Sequence, residues 1–152
     1  MRIPWIKQKL LLSEEENRII VKAIRHAEKS TSGEVRVYVE SHCSFMDPMD
    51  RAAEIFFTLK MDKTELRNAV LIYVAIKDHQ FAIFGDEGNH QKVGTEFWNT
   101  VAAEMVDNFS KDSYAEGIAS SVIAIGDALQ HHFPFQKDTD KNELPDNIVF
   151  GR

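Results

Sequence analysis

The feature that most constrains this chain is an unbroken apolar run, Ala-Val-Leu-Ile-Tyr-Val-Ala-Ile, from Ala69 to Ile76. The run is too short to cross a bilayer. Its β-branched and aromatic residues favour a strand, and a strand without a polar side is typical of the centre of a sheet. We therefore predict a central strand whose two faces are both covered by other elements.

A second strand is predicted from Glu34 to Ser41, where Val35, Val37 and Val39 alternate with polar residues. A helical segment of crossover length separates it from the apolar run, which favours a parallel pair with a right-handed crossover. After the run, a turn and the short apolar segment Phe81 to Phe84 predict an antiparallel hairpin, and a polar loop from Gly85 to Asn89 is predicted to follow it.

Four helices are predicted around these strands. A capping box, Ser13 to Glu16, begins the first, and Gly33 follows its end. The others run from Asp47-Pro48 to about Leu59, from about Thr95 to Phe109, and onward from a cap at Ser113. From Gln136 the sequence is polar, so we expect a domain over residues 1–135 and a mobile tail over residues 136–152.

Charge and cysteine content exclude several classes of function. Eighteen basic and twenty-four acidic residues give a net charge of -6, which disfavours nucleic acid and anionic lipid as partners. Cys43 is the only cysteine, so neither an intrachain disulfide nor a zinc site built from cysteines is available. The segment from Met1 to Trp5 lacks the apolar stretch of a signal peptide, so a cytoplasmic location without membrane insertion is expected.

The predicted strand directions bring polar residues together at one edge of the sheet. Both parallel strands start at this edge, and the Phe81 strand ends there. Four candidate metal ligands converge on it: Glu34, Asn68, Asp86 and Glu87. Carboxylate and amide oxygens are the ligands of hard cations, so the sequence predicts a site for Ca²⁺ or Mg²⁺.

A second interpretation of these residues is purely structural. Glu34 and Glu87 would be solvated at the ends of strands, and Arg67 would form an ion pair with Asp86. The sequence leaves both interpretations open, and it assigns no catalytic residue.

Three groups of residues resemble a known family. They are Ser32 to Val37, the pair of segments Thr64 to Ala75 and Phe81 to Gly88, and Tyr114 to Ile118. Their order and spacing are similar to the TPM domain, and the resemblance covers roughly Ser13 to His132. It implies a three-layer α/β/α sandwich with a small mixed β-sheet and an acidic cleft in the region derived above.

The resemblance also implies possible activities and partners. Plant members are described as acid phosphatases, and some bacterial members are associated with LemA-type membrane proteins. Many bacterial members carry a signal peptide and an anchor, whereas this sequence is similar to the domain alone. We therefore expect a stand-alone TPM domain.

Three functions remain open from the sequence. The first is an interaction module that binds a divalent cation in the acidic cleft. The second is a metal-assisted phosphatase acting on phosphate monoesters, in which Arg67 would neutralise a phosphoryl oxygen and Asp86 would act as nucleophile or base. The third is an adaptor that binds a protein partner without a cation.

Overall fold

The structure is a computed structural model that describes residues 11–92, 95–110, 114–134 and 148–151. Its helices are α1 (Glu14–Ser30), α2 (Pro48–Thr58), α3 (Glu87–Lys92), α4 (Thr95–Ser110) and α5 (Tyr114–His132). Its strands are β1 (Glu34–Glu40), β2 (Ala69–Ala75), β3 (Gln80–Gly85) and β4 (Val149–Phe150). None of the described helices is long and apolar enough to span a bilayer.

The four strands form one mixed sheet in the order β3-β2-β1-β4. β1 and β2 are parallel, with Glu34 opposite Ala69, and β2 and β3 are antiparallel, with Val70 opposite Gly85. The predicted parallel pair and hairpin are therefore confirmed. The starts of β1 and β2 and the end of β3 lie at one edge, which we call the strand-start edge.

β2 is the central strand that its sequence predicted, because all seven of its residues are buried. Val70, Ile72 and Val74 point into a core shared with α1, α4 and α5. Leu71 and Tyr73 point into a second core that α2 covers. The sheet thus lies between two helical layers, and the α/β/α sandwich is confirmed.

Local sequence signals fix the starts of α1 and α2. The Ser13 hydroxyl accepts a hydrogen bond from the Glu16 amide at 3.1 Å, and the Glu16 carboxylate accepts one from the Ser13 amide at 2.8 Å. This is the predicted capping box. Asp47 caps α2, with Pro48 in its first turn.

Two predictions are corrected at the ends of the sheet. The polar loop predicted from Gly85 to Asn89 instead enters helix α3 at Glu87, because Asp86 accepts hydrogen bonds from the Glu87 amide at 2.8 Å and from the Asn89 amide at 3.0 Å. Glu87 is therefore the first residue of α3 and not part of a loop.

The predicted mobile tail is also corrected at its end. Residues 149 and 150 form β4, Ile148 is 5% exposed, and the Gly151 amide donates to the Val39 carbonyl at 2.8 Å. Burial of one isoleucine and pairing with the open edge of β1 hold this segment in place. Residues 136–147 of the predicted tail, and the predicted cap Ser113, lie outside the described residues.

Candidate functional site at the strand-start edge

The strand-start edge is held together by backbone hydrogen bonds that link β2 to the beginning of α3. The Asp86 amide donates to the Ala69 carbonyl at 2.9 Å, and the Gly88 amide donates to the Arg67 carbonyl at 2.8 Å. These bonds bring the segments 67–69 and 86–88 side by side, as the strand directions predicted.

Arg67 and Asp86 form a bidentate ion pair at this edge. Arg67 Nε lies 2.7 Å from Asp86 Oδ2, and Nη2 lies 2.7 Å from Oδ1. The third nitrogen, Nη1, lies 2.8 Å from Glu87 Oε1. The hydrogen bonds to Asp86 raise the pKa of Arg67 above its ordinary value. This is the pairing that the structural interpretation of the sequence expected.

The backbone around this ion pair has an unusual conformation. Arg67 has a φ of 51°, in the left-handed region that side chains other than glycine seldom adopt. Gly88 packs directly against it, since a Cβ atom at position 88 would lie 2.5 Å from the carbonyl oxygens of both Leu66 and Arg67. Glycine is therefore required at position 88. The close packing of its backbone against the Arg67 carbonyl holds the Arg67 backbone in place.

Asn68 is the most deeply buried of the predicted ligands, at 1% exposure. Neither its Oδ1 nor its Nδ2 has a hydrogen-bond partner in the described part of the chain. Extending the alternation of β2 by one residue places Asn68 on the face of Val70, towards α1 and α5. The same alternation places Asp86, which follows Gly85, on the face of Ala69, towards α2.

Glu34 begins β1 on the α2 side of the sheet, and it is buried at 6% exposure. Arg36, two residues on, is also buried, and its Nε has no hydrogen-bond partner among the described residues. Burial lowers the pKa of Arg36, and the negative charge of Glu34 partly opposes that shift. Glu34 is therefore not a solvated strand end, whereas Glu87 is exposed, with a side-chain exposure of 64%.

The four predicted ligands thus share one edge but are not all directed to one point. Asp86 and Glu87 both contact Arg67, Glu34 lies beside Arg36, and Asn68 is on the opposite face. Within the described ranges, no group of three histidine, cysteine, aspartate or glutamate side chains is placed to hold a metal ion. A cation here would need amide or carbonyl oxygens as well as carboxylates.

Two polar residues at this edge were not predicted as part of the site. Asn89 is fully buried, and its Nδ2 donates to the Ala69 carbonyl at 2.9 Å while its Oδ1 has no partner among the described residues. Trp98 Nε1 is likewise buried without a partner there. Both side chains approach the space above Gly85. An asparagine directly after the glycine-flanked acidic pair Asp86-Glu87 is the sequence signal that could have identified Asn89.

Comparison with known proteins places this fold in a family. The sequence model of the TPM domain family matches residues 6–128. The chain belongs to the TPM domain family. The family resemblance drawn from the sequence is therefore confirmed over most of the chain. A search of curated proteins finds no match.

Solved structures support the same assignment of a TPM domain. The BA42 protein of the psychrophilic bacterium Bizionia argentinensis is 42% identical, with a TM-score of 0.88 over 96% of this chain and 99% of that one. The N-terminal domain of a P. gingivalis protein is 17% identical, with a TM-score of 0.65 over 81% of this chain and 79% of that one. The N-terminal domain of cg2496 from Corynebacterium glutamicum is 14% identical, with a TM-score of 0.63 over 78% and 74% of the two chains. The last two similarities show the fold alone.

The opposite edge of this TPM domain carries a second polar cluster, built around Glu40 at the end of β1. The buried Glu40 carboxylate accepts two hydrogen bonds from Arg51, each at 3.0 Å, and a third from the Tyr73 hydroxyl. Burial, together with the hydrogen bonds to Glu40 and Cys43, raises the pKa of Tyr73. Glu40 and Arg51 border an open cavity of about 360 Å³.

The loop that follows β1 is tied to the β2–β3 turn by Asp78. Its carboxylate lies 2.7 Å from His42 Nδ1 and accepts a hydrogen bond from the Cys43 amide at 2.6 Å. These two hydrogen bonds, the one with His42 first, lower the pKa of Asp78 below its ordinary value of 3.8. Asp78 thereby orders His42 and Cys43 as parts of one loop.

Proposed function

We propose that this TPM domain binds a divalent cation, Ca²⁺ or Mg²⁺, at the strand-start edge and acts as a cation-dependent interaction module. The observation that carries the proposal is Asn68, whose amide is 1% exposed and has no hydrogen-bond partner in the described part of the chain. Leaving a buried polar group unpaired costs about 1–3 kcal/mol. A bound ion with its water shell would recover that cost.

The carboxylates that share this edge with Asn68 suit a hard cation. Glu34 and Asp86 are both buried carboxylates, at 6% and 4% exposure, and Glu87 lies at the solvent side. Because Asn68 lies on the face opposite to Glu34 and Asp86, a cation bound by Asn68 Oδ1 and one of these carboxylates would lie at the edge itself, beyond the strand ends, with water in its remaining positions. The net charge of -6 favours the approach of a cation from solvent.

Arg67 is the competitor that such a cation has to displace. Asp86 already accepts hydrogen bonds from two nitrogens of Arg67 and from the Glu87 amide. The Arg67 side chain is 38% exposed, so its guanidinium group has an open path to water when a cation takes Asp86. We therefore expect weak binding, with a dissociation constant on the order of 0.1–1 mM.

Calorimetric titration with calcium and magnesium chloride at neutral pH tests the proposal. Asn68→Leu removes the amide at similar volume, and Asp86→Ala removes the carboxylate. Both variants should bind at least about tenfold more weakly than the wild type, since each loses a direct ligand. Asp127→Ala, which removes an exposed carboxylate from α5, is the matched control and should bind as the wild type does.

The titration also has an outcome that contradicts the proposal. If the wild type binds neither ion at millimolar concentrations, or if the Asn68 and Asp86 variants bind as well as the wild type, no cation site lies at this edge. The adaptor function, in which a protein partner binds without a cation, then takes its place.

A metal-assisted phosphatase is the second candidate, and the placement of Arg67 favours it. A half-exposed guanidinium group and a carboxylate share one edge, so a phosphoryl oxygen could meet Arg67 while a cation is held beside it. Hydrolysis of p-nitrophenyl phosphate with and without magnesium tests this candidate. Activity should require magnesium and should fall in both Arg67→Gln and Asp86→Ala, and a complete lack of hydrolysis would exclude it for this ester.

A further inference from the structure

The outer edge of β3 is an open edge of the sheet within the described part of the chain. β3 is the first strand in the order β3-β2-β1-β4, so it pairs with β2 on one side and with no described strand on the other. Edge strands of natural proteins commonly carry a charged residue, a proline or a bulge that prevents pairing with another chain. β3 has none of these three, because its sequence is Gln-Phe-Ala-Ile-Phe-Gly and its register with β2 is unbroken.

The backbone groups that face outward from β3 follow from the hydrogen bonds on its inner side. The Asp86 amide donates to the Ala69 carbonyl, so these two residues form a hydrogen-bonded pair of the antiparallel ladder. Such pairs alternate with pairs that exchange no hydrogen bond. Counting back from Asp86 in the observed register, Ala82 is bonded to β2, and the amides and carbonyls of Phe81 and Ile83 point away from it. No hydrogen bond between described residues uses these outward groups.

The side chains along this edge are apolar and only partly covered. Phe81, Ile83 and Phe84 are all half-buried, whereas every residue of β2 is buried. Phe57 of α2 contacts Phe84, with 6.1 Å between the ring centroids, and is itself 52% exposed. Phe81 and Ile83 lie on the face of the larger core, and Phe84 lies on the face of the smaller one. Apolar surface therefore flanks the open backbone groups on both faces of the sheet.

We infer that two copies of this chain pair through the outer edge of β3, antiparallel to one another, about a two-fold axis at Ala82. This register places Phe81 of each copy opposite Ile83 of the other. Both pairs use outward backbone groups, and each exchanges two hydrogen bonds, so two pairs give four bonds. Since β3 contains no charged residue, the register brings no like charges of the two strands together.

The sequence of β3 is the reason to assign a second copy to this edge. A two-fold contact requires a surface that is complementary to itself. Phe81 and Ile83 meet this requirement, because an aromatic ring opposite a β-branched side chain is a favourable cross-strand pair and the symmetry forms it twice. Ala82 lies on the axis in a pair without hydrogen bonds, in which the two strands approach most closely, and its methyl group is small enough for that approach.

Sedimentation velocity and amide hydrogen exchange test this inference at protein concentrations from about 10 µM to about 1 mM, because so small a contact is expected to be weak. The wild type should shift from monomer to dimer over this range. The amides of Phe81 and Ile83 should exchange at least about threefold more slowly in the concentrated protein than in the dilute one. The amides of Ala82 and Phe84, which are bonded to β2, should be protected at both concentrations.

The variant Ile83→Pro tests the outward amide directly. Proline lacks an N–H, and β2 does not use the N–H at position 83, so the sheet within one copy keeps its hydrogen bonds. This variant should dimerise at least about tenfold more weakly than the wild type. Ile83→Val keeps both the amide and a β-branched side chain, so it is the matched control and should dimerise within about threefold of the wild type.

Several results would overturn the inference. A wild type that stays monomeric at about 1 mM would exclude the dimer. A dimer whose Phe81 and Ile83 amides exchange as fast as in the monomer would associate through another surface. Protection of these amides in the dilute protein would mean that the same chain covers the edge. Protection that requires an added peptide of alternating threonine and valine would assign the edge to a partner protein. If Ile83→Pro does not fold, the exchange measurement on the wild type still decides.

Discussion

At the scale of single residues, one carboxylate organises the loop that follows β1. Asp78 binds both His42 and the Cys43 amide, and it comes from the turn between β2 and β3. The interaction therefore adds to the backbone hydrogen bond from the Lys77 amide to the Ser41 carbonyl at 2.9 Å, which already joins these two segments. Because its hydrogen bonds stabilise the charged form, the pKa of Asp78 is lower in the folded protein than in the unfolded chain.

The stability contributed by Asp78 should depend on pH in a defined direction. Its folded pKa lies below the ordinary value of 3.8, so the contribution is complete well above that value and is lost as the pH falls through the folded pKa. Asp78→Asn should therefore lower the melting temperature at pH 6. The difference from the wild type should narrow below pH 3.8. A difference that stays constant from pH 6 to pH 2.5 would contradict this account.

The residues of the strand-start edge, and the pairing of Arg67 with Asp86 as one of two interpretations, could be predicted from the sequence, but the face of the sheet that each side chain takes could not. Strand directions alone brought Glu34, Asn68 and Asp86 to one edge. The face that each side chain takes depends on the register of the strands. Asp86 lies opposite Ala69 and not opposite Asn68, so Asp86 and Asn68 take different faces of the sheet. Arg67 forms its ion pair with Asp86 from a left-handed backbone conformation, and no local sequence pattern predicts that conformation.

At the scale of elements, sequence reasoning missed two short pieces, the helix α3 and the strand β4. Residues 149 and 150 make a strand too short for any periodicity to reveal, and they follow a polar segment. The strand forms because Ile148 is buried beside it and because β1 offers an unpaired edge at Tyr38 and Val39. Longer elements carry their own signals, and α1, β1, α2, β2 and β3 were all predicted to within about two residues of their observed ends.

The contribution of β4 can be measured with two substitutions. Ile148→Ala should lower the free energy of unfolding by about 2–5 kcal/mol, since it removes a side chain that is 5% exposed. Phe150→Ala, at 48% exposure in the same strand, should cost less than about 1 kcal/mol. Urea unfolding of both variants checks the difference. Equal and small effects would mean that the segment is not part of the folded sheet.

At the scale of the whole molecule, the sheet divides the interior into two separate cores. The larger lies under α1, α4 and α5, and the smaller lies under α2. Neighbouring side chains of β2 lie in different cores, Leu71 in the smaller and Ile72 in the larger. The fold therefore depends on both helical layers, and neither face of the sheet is open to solvent along β2.

This arrangement predicts similar costs for truncation on either side of β2. Leu71→Ala and Ile72→Ala should each lower the free energy of unfolding by about 2–5 kcal/mol, because both side chains are fully buried. Ile123→Ala, on the outside of α5 at 39% exposure, is the control and should cost less than about 1 kcal/mol. Chemical denaturation measures all three, and a neutral Leu71→Ala would mean that the α2 layer does not cover the sheet.

The order in which the sheet assembles follows from the position of β4. The β2–β3 hairpin joins residues close in sequence, so forming it closes only a short loop and costs little chain entropy. The contact between Val39 and Gly151 instead joins residues from opposite parts of the chain. Contacts of that kind form slowly, because distant segments must first be brought together. We therefore expect the edge of β1 to be completed after the hairpin, and until then its unpaired backbone groups are open to pairing with another chain.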